Sequence, residues 1–376
     1  MLINRKIAKK YSWLNANVIA AVLIIKALIL VFAAQSYQAV TDQPINETNW
    51  FLGIVSRWDA DSYLKIAEFG YASSGKDSFR IVFFPFYPAL IALFRVVFRN
   101  YVLSALIVSG VASLALGLAF RELVRLDYSE KTAQLAVLFL FIFPTSHFLH
   151  MPYTESLFLA LAVGCFLAAR KRNWMVVGIL GALACLTRVN GLILIPALLF
   201  EVWEEYRETK LFNRSWLFLA LVPIGFAGYL AVNYFVTGDP LMFMTIQRNN
   251  FGRHFEVPWS GLKGAYDKMF TPKPTEAQMT GVQELTFVII GLFATIAGWW
   301  HLRNSYRVWM LLNWLLFIST SFILSIPRYT LIMFPIFILM ALAAVRNWWV
   351  KVLFTVWSLL YLSLFLTQFV RGWWAF

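Results

Sequence analysis

The chain has 376 residues, of which 60% are apolar and only 14% charged, and its mean hydropathy is +0.68. Those values exclude an ordinary soluble domain. The net charge of +13 does not point to nucleic acid, because Lys and Arg stand in short clusters between apolar runs. That pattern is the mark of topology signals and contacts with anionic membrane lipids.

The first apolar run, at about 18–35, lacks a small-residue cleavage site and is followed by further spans, so it reads as a retained helix. Candidate spans after it fall at 102–121, 132–147, 152–169, 174–187, 190–203, 215–236, 285–300, 308–325, 329–345 and 350–369. The fold class expected is therefore all-α: a polytopic transmembrane bundle of about 11 membrane segments forming one domain over 1–376. Several segments fall short of the ~20 residues that a full crossing needs, and must thin the bilayer or lean on neighbours. Cys165 and Cys185 both lie inside apolar runs, which argues against a disulfide framework or a zinc site.

Basic clusters set the orientation. Arg5, Lys6, Lys9 and Lys10 put the N-terminus in the cytoplasm, and Arg170, Lys171 and Arg172 belong on the same side. The first loop, about 40–82, is then extracytoplasmic. Parity requires that one segment before Arg170 does not cross. The choice is 83–98, which opens with Pro85 and Pro88 and reads as re-entrant or interfacial, although Arg95 and Arg99 pull the other way. The long loop 237–283 also falls outside, while Glu201–Asn213 and His301–Arg307 are cytoplasmic. Runs 141–168 and 174–203 are too long for single helices and are interrupted by polar residues. Each reads as two short helices meeting at a polar tip.

On that topology the anomalous polar residues gather on the extracytoplasmic face: Asp59, Asp61, His147, His150, Glu155, Arg188, Asn190 and Arg328. Acids are expensive near hydrocarbon, roughly 2.5–3.5 kcal/mol each at the bilayer centre. Asp59 and Asp61 either cap a helix through Tyr63–Phe69 or supply a general base for an acceptor hydroxyl. Glu155 either satisfies a helix N-terminus or orients the acceptor. Arg188 and Arg328 suit a phosphate in fork geometry, or pair with acids across the bundle. Trp58 and Tyr63 either stack on a sugar or mark the interface. Asn190 and Tyr329 flank the two arginines and join them as substrate-binding candidates. His147 and His150 are substrate-binding candidates or interfacial hydrogen-bonders; with Asp59 and Glu155 they offer a divalent-metal alternative, but their spacing matches no strong ligand motif. Lys26 in the first span reads as bundle-facing or snorkelling, with no assigned role.

Several segments in order then carry a family likeness. Trp58-Asp59-Ala60, Ile66-Ala67-Glu68-Phe69-Gly70-Tyr71 and Phe83-Phe84-Pro85-Phe86-Tyr87-Pro88 come first. Pro144 through Tyr153-Thr154-Glu155-Ser156-Leu157-Phe158, Arg188-Val189-Asn190-Gly191-Leu192, and Pro327-Arg328-Tyr329 with Pro335 follow. Together, over about 50 to 340, the set resembles the PIG-V-type mannosyltransferases (GPI mannosyltransferase 2 and its prokaryotic relatives). The resemblance implies a GT-C membrane glycosyltransferase with an extracytoplasmic active site and a polyprenyl-phosphate-linked mannose donor. It also implies that Asp59 is the essential Trp-Asp carboxylate. Family members carry a His or similar residue soon after that motif, where this chain has Asp61-Ser62-Tyr63, so the resemblance leaves the acceptor open.

The reading is inverting transfer of a mannosyl or related hexosyl unit to a glycan, lipid or protein hydroxyl. Asp59 is the base, Glu155 or Asp61 positions the acceptor, and Arg188 and Arg328 bind the donor phosphate. No cofactor is obligatory, since a phosphate monoester leaves without a metal. Membrane lipids are the expected surroundings, nucleic acid is not a partner, and a partner subunit remains open. The rival classes are a transporter or flippase of a lipid-linked or anionic solute, and a silent subunit of a transferase complex. No internal repeat of the kind transporters show is found. The compartment expected is the cell membrane of a bacterium or archaeon, or the endoplasmic reticulum membrane if the source is eukaryotic.

Overall fold

The structure is a computed structural model that describes residues 2–41 and 53–376, with side chains from 15 to 39 and from 53 onward. The side chains of the N-terminal basic cluster, and residues 42–52 in the first part of the expected outer loop, lie outside the described residues. Helices make up the fold. Among the described residues the only bridge between extended segments joins Phe255 and Thr320.

The helices that position the site are α1 (Leu2–Thr41), α2 (Asp59–Phe69), α3 (Phe86–Phe98), α4 (Tyr101–Arg125), α5 (Glu130–Ile142), α6 (Glu155–Arg170) and α7 (Trp174–Cys185). They continue with α8 (Leu194–Thr209), α9 (Leu221–Thr237), α10 (Met242–Phe251), α11 (Pro258–Lys268), α12 (Glu284–His301), α13 (Asn304–Ile318), the short α14 (Ile326–Thr330), α15 (Pro335–Arg346) and α16 (Trp348–Arg371). Among the described residues, 5 stretches are long and apolar enough to cross a membrane: Asn15–Ala39, Tyr101–Arg125, Arg214–Thr237, Pro274–His301 and Trp348–Arg371. The other apolar helices are shorter, so the expected count of about 11 crossings is not reached by length and composition. The doubtful segment 83–98 is the 13-residue helix α3, short of a crossing.

Local chemistry sets the boundaries. Asn100 begins α4 and Ser129 begins α5 by accepting the backbone N–H three residues on, from Leu103 and Thr132. α5 stops at Ile142 because Phe143, ahead of Pro144, takes the extended conformation. The two long apolar runs are interrupted where polar residues predict it, at 143–154 and at 186–193. Small residues then let helices close up. A methyl on Gly225 of α9 would sit 1.9 Å from the Ala182 carbonyl oxygen of α7, so only hydrogen fits there.

Irregular backbone inside a bundle needs hydrogen-bond partners. The tip 143–154 finds them on helices remote in sequence. Ser113 donates to the Leu149 carbonyl at 2.6 Å, Ser109 to the Tyr153 carbonyl at 3.3 Å, and Lys26 to the His150 carbonyl at 2.9 Å. Thr145 donates to the Pro327 carbonyl at 2.9 Å, tying this tip to the one that carries Arg328. At the far end of α6, about 22 Å from Glu155 by helical rise, Arg170 holds Asp127 at 2.6 and 2.8 Å, and Arg303 holds Glu201 at 3.1 Å.

Candidate active site

Four segments far apart in sequence meet at one end of the bundle. Asp59 is the first residue of α2, and the residue before it, Trp58, has φ 54°. That left-handed backbone is strained for a bulky side chain and fixes the direction in which the helix starts. Glu155 opens α6. Arg188 stands in the turn between α7 and the short coil Val189–Ile193, where Gly191 packs directly on the backbone of Ala184 and Cys185. Arg328 sits in α14, whose entry is fixed by the buried carboxyl group of Glu284. That group accepts the Ser325 and Ile326 backbone N–H groups, both at 2.7 Å.

The acids and guanidinium groups form one chain of contacts. Arg328 donates from Nη1 to Asp59 Oδ2 at 2.7 Å and from Nε to Glu155 Oε1 at 2.5 Å. Arg188 donates to the same Glu155 oxygen at 2.5 Å and to the Thr154 hydroxyl at 2.9 Å. Arg328 also lies 4.7 Å from the ring centroids of both Phe148 and Tyr153. Tyr153 in turn donates to the Arg57 carbonyl at 2.7 Å. Glu155 is fully enclosed, while the Asp59 side chain keeps 38% exposure. One acid is therefore a buried anchor, and the other stays part-exposed with one oxygen outside its hydrogen bond to Arg328.

The remaining sequence candidates are placed differently. Asp61 points away from this chain, to Lys65 at 3.0 Å and Arg80 at 3.7 Å, because residues two apart on a helix face different ways. The sequence places His147 and His150 on or just beneath the extracytoplasmic surface. Both are fully buried, His147 against Phe148 and Phe369 and His150 against Phe141. They are folded under because the tip turns inward rather than out into water. Asn190 is buried with its amide on Asn313 at 2.8 Å. Tyr63 packs edge-on to Phe83 and Tyr87 beneath α2. Trp58 is 46% exposed beside Asp59, with Trp374 edge-on at 5.6 Å. Tyr329 is stacked on Phe317 with its centroid 5.0 Å away. Among the described residues no three His, Cys, Asp or Glu side chains gather as a metal site.

Sequence reasoning passed over Glu284, Arg253 and Trp374. Glu284 offered a signal, an acid at the start of an apolar run, though such an acid is as readily interfacial. Arg253 follows Gly252 in a long loop, and nothing in the local pattern says what it faces.

The comparisons with known proteins agree with this architecture. Residues 84–234 match the family described as dolichyl-phosphate-mannose-protein mannosyltransferase. No curated protein sequence matches the chain. The fold is shared with ArnT from Cupriavidus metallidurans, solved bound to undecaprenyl phosphate, at a TM-score of 0.53 and 15% identity over 88% of this chain and 62% of that one. The Archaeoglobus fulgidus oligosaccharyltransferase in its apo form aligns at a TM-score of 0.47 and 11% identity, over 93% of this chain and 56% of that one. The chain thus spans under two thirds of the length of either. The fold class is the one expected, an all-α bundle with several candidate membrane spans, and its fold is that of ArnT.

Proposed function

We propose that the chain is an inverting membrane glycosyltransferase that moves a mannosyl or related hexosyl unit from a polyprenyl-phosphate carrier to a hydroxyl acceptor on the extracytoplasmic side. The observation that carries this reading is the Asp59–Arg328–Glu155–Arg188 chain, which leaves Asp59 part-exposed with one oxygen outside its hydrogen bond to Arg328. The family match at 84–234, and the capture of ArnT with undecaprenyl phosphate, support a lipid-phosphate donor. Mannose rests on the resemblance and on that family's description, since the ArnT complex holds the carrier phosphate.

In this reading Asp59 accepts the acceptor's hydroxyl proton through the oxygen that Arg328 leaves free. The acceptor oxygen bonds to the anomeric carbon from the face opposite the phosphate, and the carbon–oxygen bond to the phosphate breaks. The electron pair leaves with the lipid phosphate, which departs as a stable anion beside fixed guanidinium groups. Arg328 holds the base in place, and Glu155 holds both arginines. Trp58 stands where an acceptor sugar would stack. The basic cluster Arg170, Lys171 and Arg172 at the opposite end of α6 supports the outer-face reading.

The test is Asp59→Asn in proteoliposomes supplied with radiolabelled polyprenyl-phosphate-mannose. Transfer falls by at least 100-fold while donor binding persists. Wild-type transfer rates in that variant would refute the assignment. Transbilayer movement of unconsumed donor by the wild-type protein would favour the flippase class instead.

A further inference from the structure

We propose that Arg253, together with Arg188 and the Tyr329 hydroxyl, forms an anion clamp that receives the carrier phosphate, an inference that rests on the glycosyltransferase reading. Counting charge leads there. Asp59 and Glu155 are matched one for one by Arg328 and Arg188, so the chain of contacts described above has no net charge with which to attract a phosphate. Arg328 in particular is buried and already donates to both acids. Its charge is offset by those acids, and only its Nη2 N–H groups make no hydrogen bond among the described residues.

Arg253 supplies the missing charge. Among the described residues no carboxylate lies within ion-pair distance of it, and its one hydrogen bond runs from Nη1 to the Tyr329 hydroxyl at 3.1 Å. Its guanidinium carbon lies 5.5 Å from the Tyr329 ring centroid, and that of Arg188 lies 5.7 Å from the same centroid. The two cations therefore share one ring, and Phe317 braces that ring by stacking. Both Arg253 and Tyr329 are only partly buried, so the arrangement is open to a ligand. Because the Tyr329 oxygen accepts from Arg253, its own proton is free to be donated. N–H groups from two guanidinium groups and one phenolic O–H match the oxygens of a phosphate.

Arg253 is also rigidly delivered. Gly252, at φ +65°, ends α10 and turns the chain. The segment after it is stitched to the strand ahead of α14. His254 N–H donates to the Ser321 hydroxyl at 3.2 Å, Ser321 N–H to the His254 carbonyl at 2.9 Å, and Glu256 N–H to the Ser319 carbonyl at 3.2 Å. The Ser321 hydroxyl closes the clip on the Gly252 carbonyl at 3.0 Å. A cation held by four such bonds, a few residues from the turn that presents Arg328, is built into the site.

The experiment measures binding of undecaprenyl phosphate to the purified full-length protein, with undecaprenol, phosphatidylglycerol and inorganic phosphate as separate arms. Arg253→Ala is expected to weaken undecaprenyl phosphate roughly 10- to 100-fold. It leaves undecaprenol binding and thermal stability unchanged, and Arg253→Lys recovers part of the loss. Lys263→Ala, an exposed cation of the same loop, is the control and leaves binding unchanged. Equal affinity of Arg253→Ala and wild type for undecaprenyl phosphate would overturn the clamp alone. So would equal loss of undecaprenol, or equal competition by phosphatidylglycerol or inorganic phosphate, which would mark a general anion site. A wild-type protein that binds no undecaprenyl phosphate would overturn the glycosyltransferase reading itself.

Discussion

Glu284→Gln tests whether the presentation of Arg328 depends on one remote carboxyl group. In the wild-type protein both carboxyl oxygens of Glu284 are occupied, one by the Ser325 N–H and one by the Ile326 N–H, each at 2.7 Å, and the side chain is fully buried. Glutamine is nearly the same size but offers a single carbonyl oxygen. Its amide nitrogen then faces a backbone N–H, so one buried donor loses its acceptor, at a cost of about 1–3 kcal/mol. Ser325 already holds φ 69°, an unfavourable backbone for serine, and the carboxyl group is what answers the N–H groups on that turn. The expected result is a melting temperature lowered by several degrees in detergent, with folded, monodisperse protein and sugar transfer reduced at least 10-fold. Glu276→Gln, at an acid paired only with an exposed lysine, serves as control and leaves both unchanged. Glu284→Gln with wild-type melting and wild-type transfer would refute the claim that this carboxyl group sets the position of Arg328.

Two further outcomes follow from the same contacts. Arg328→Met leaves Asp59 without a counter-charge and Glu155 with Arg188 alone, so thermal denaturation should show destabilisation of about 3–5 kcal/mol; a variant as stable as wild type would mean that the ion chain is not structural. Gly225→Ala forces a methyl to within 1.9 Å of the Ala182 carbonyl oxygen, so recovery of monodisperse protein on size exclusion should fall sharply. Gly264→Ala on α11 has nothing within 4 Å of the added carbon and should be neutral or slightly stabilising.

What the sequence reveals here is what local chemistry controls. Pro144 and Pro327 mark where helices must break, and polar residues inside apolar runs mark the tips, so the interrupted pattern at 143–154 and 186–193 is legible before any coordinates. The candidate acid Asp59 and the cations Arg188 and Arg328 are legible too, since charge beside hydrocarbon is costly and seldom incidental. Depth and direction are not. His147 and His150 look like residues of a wet surface, but the partners that enclose them, Phe141 and Phe369, come from α5 and the distant α16. The span count suffers likewise, because a run such as 329–345 folds into the end of the short α14, a turn and the 12-residue α15 instead of one long helix. Arg253 is illegible because its rigidity comes from pairing with residues 319–321, nearly seventy positions away.

The site's precision comes from helices that contribute nothing to its chemistry. The carbonyls of Leu149, His150 and Tyr153 would each be an unanswered polar group in a non-aqueous interior, and each is answered by a side chain of α1 or α4. Ser109 and Ser113 are one helical turn apart, which matches a tip that runs along α4 rather than across it. Tyr87 of α3 extends the ladder by bonding the Ser109 hydroxyl at 2.8 Å. The tip is therefore a part of the bundle's interior that happens to be non-helical. That status explains how Glu155 can sit fully enclosed at its end with two guanidinium groups on one oxygen, whereas Asp59, the other acid of that ion chain, stays part-exposed.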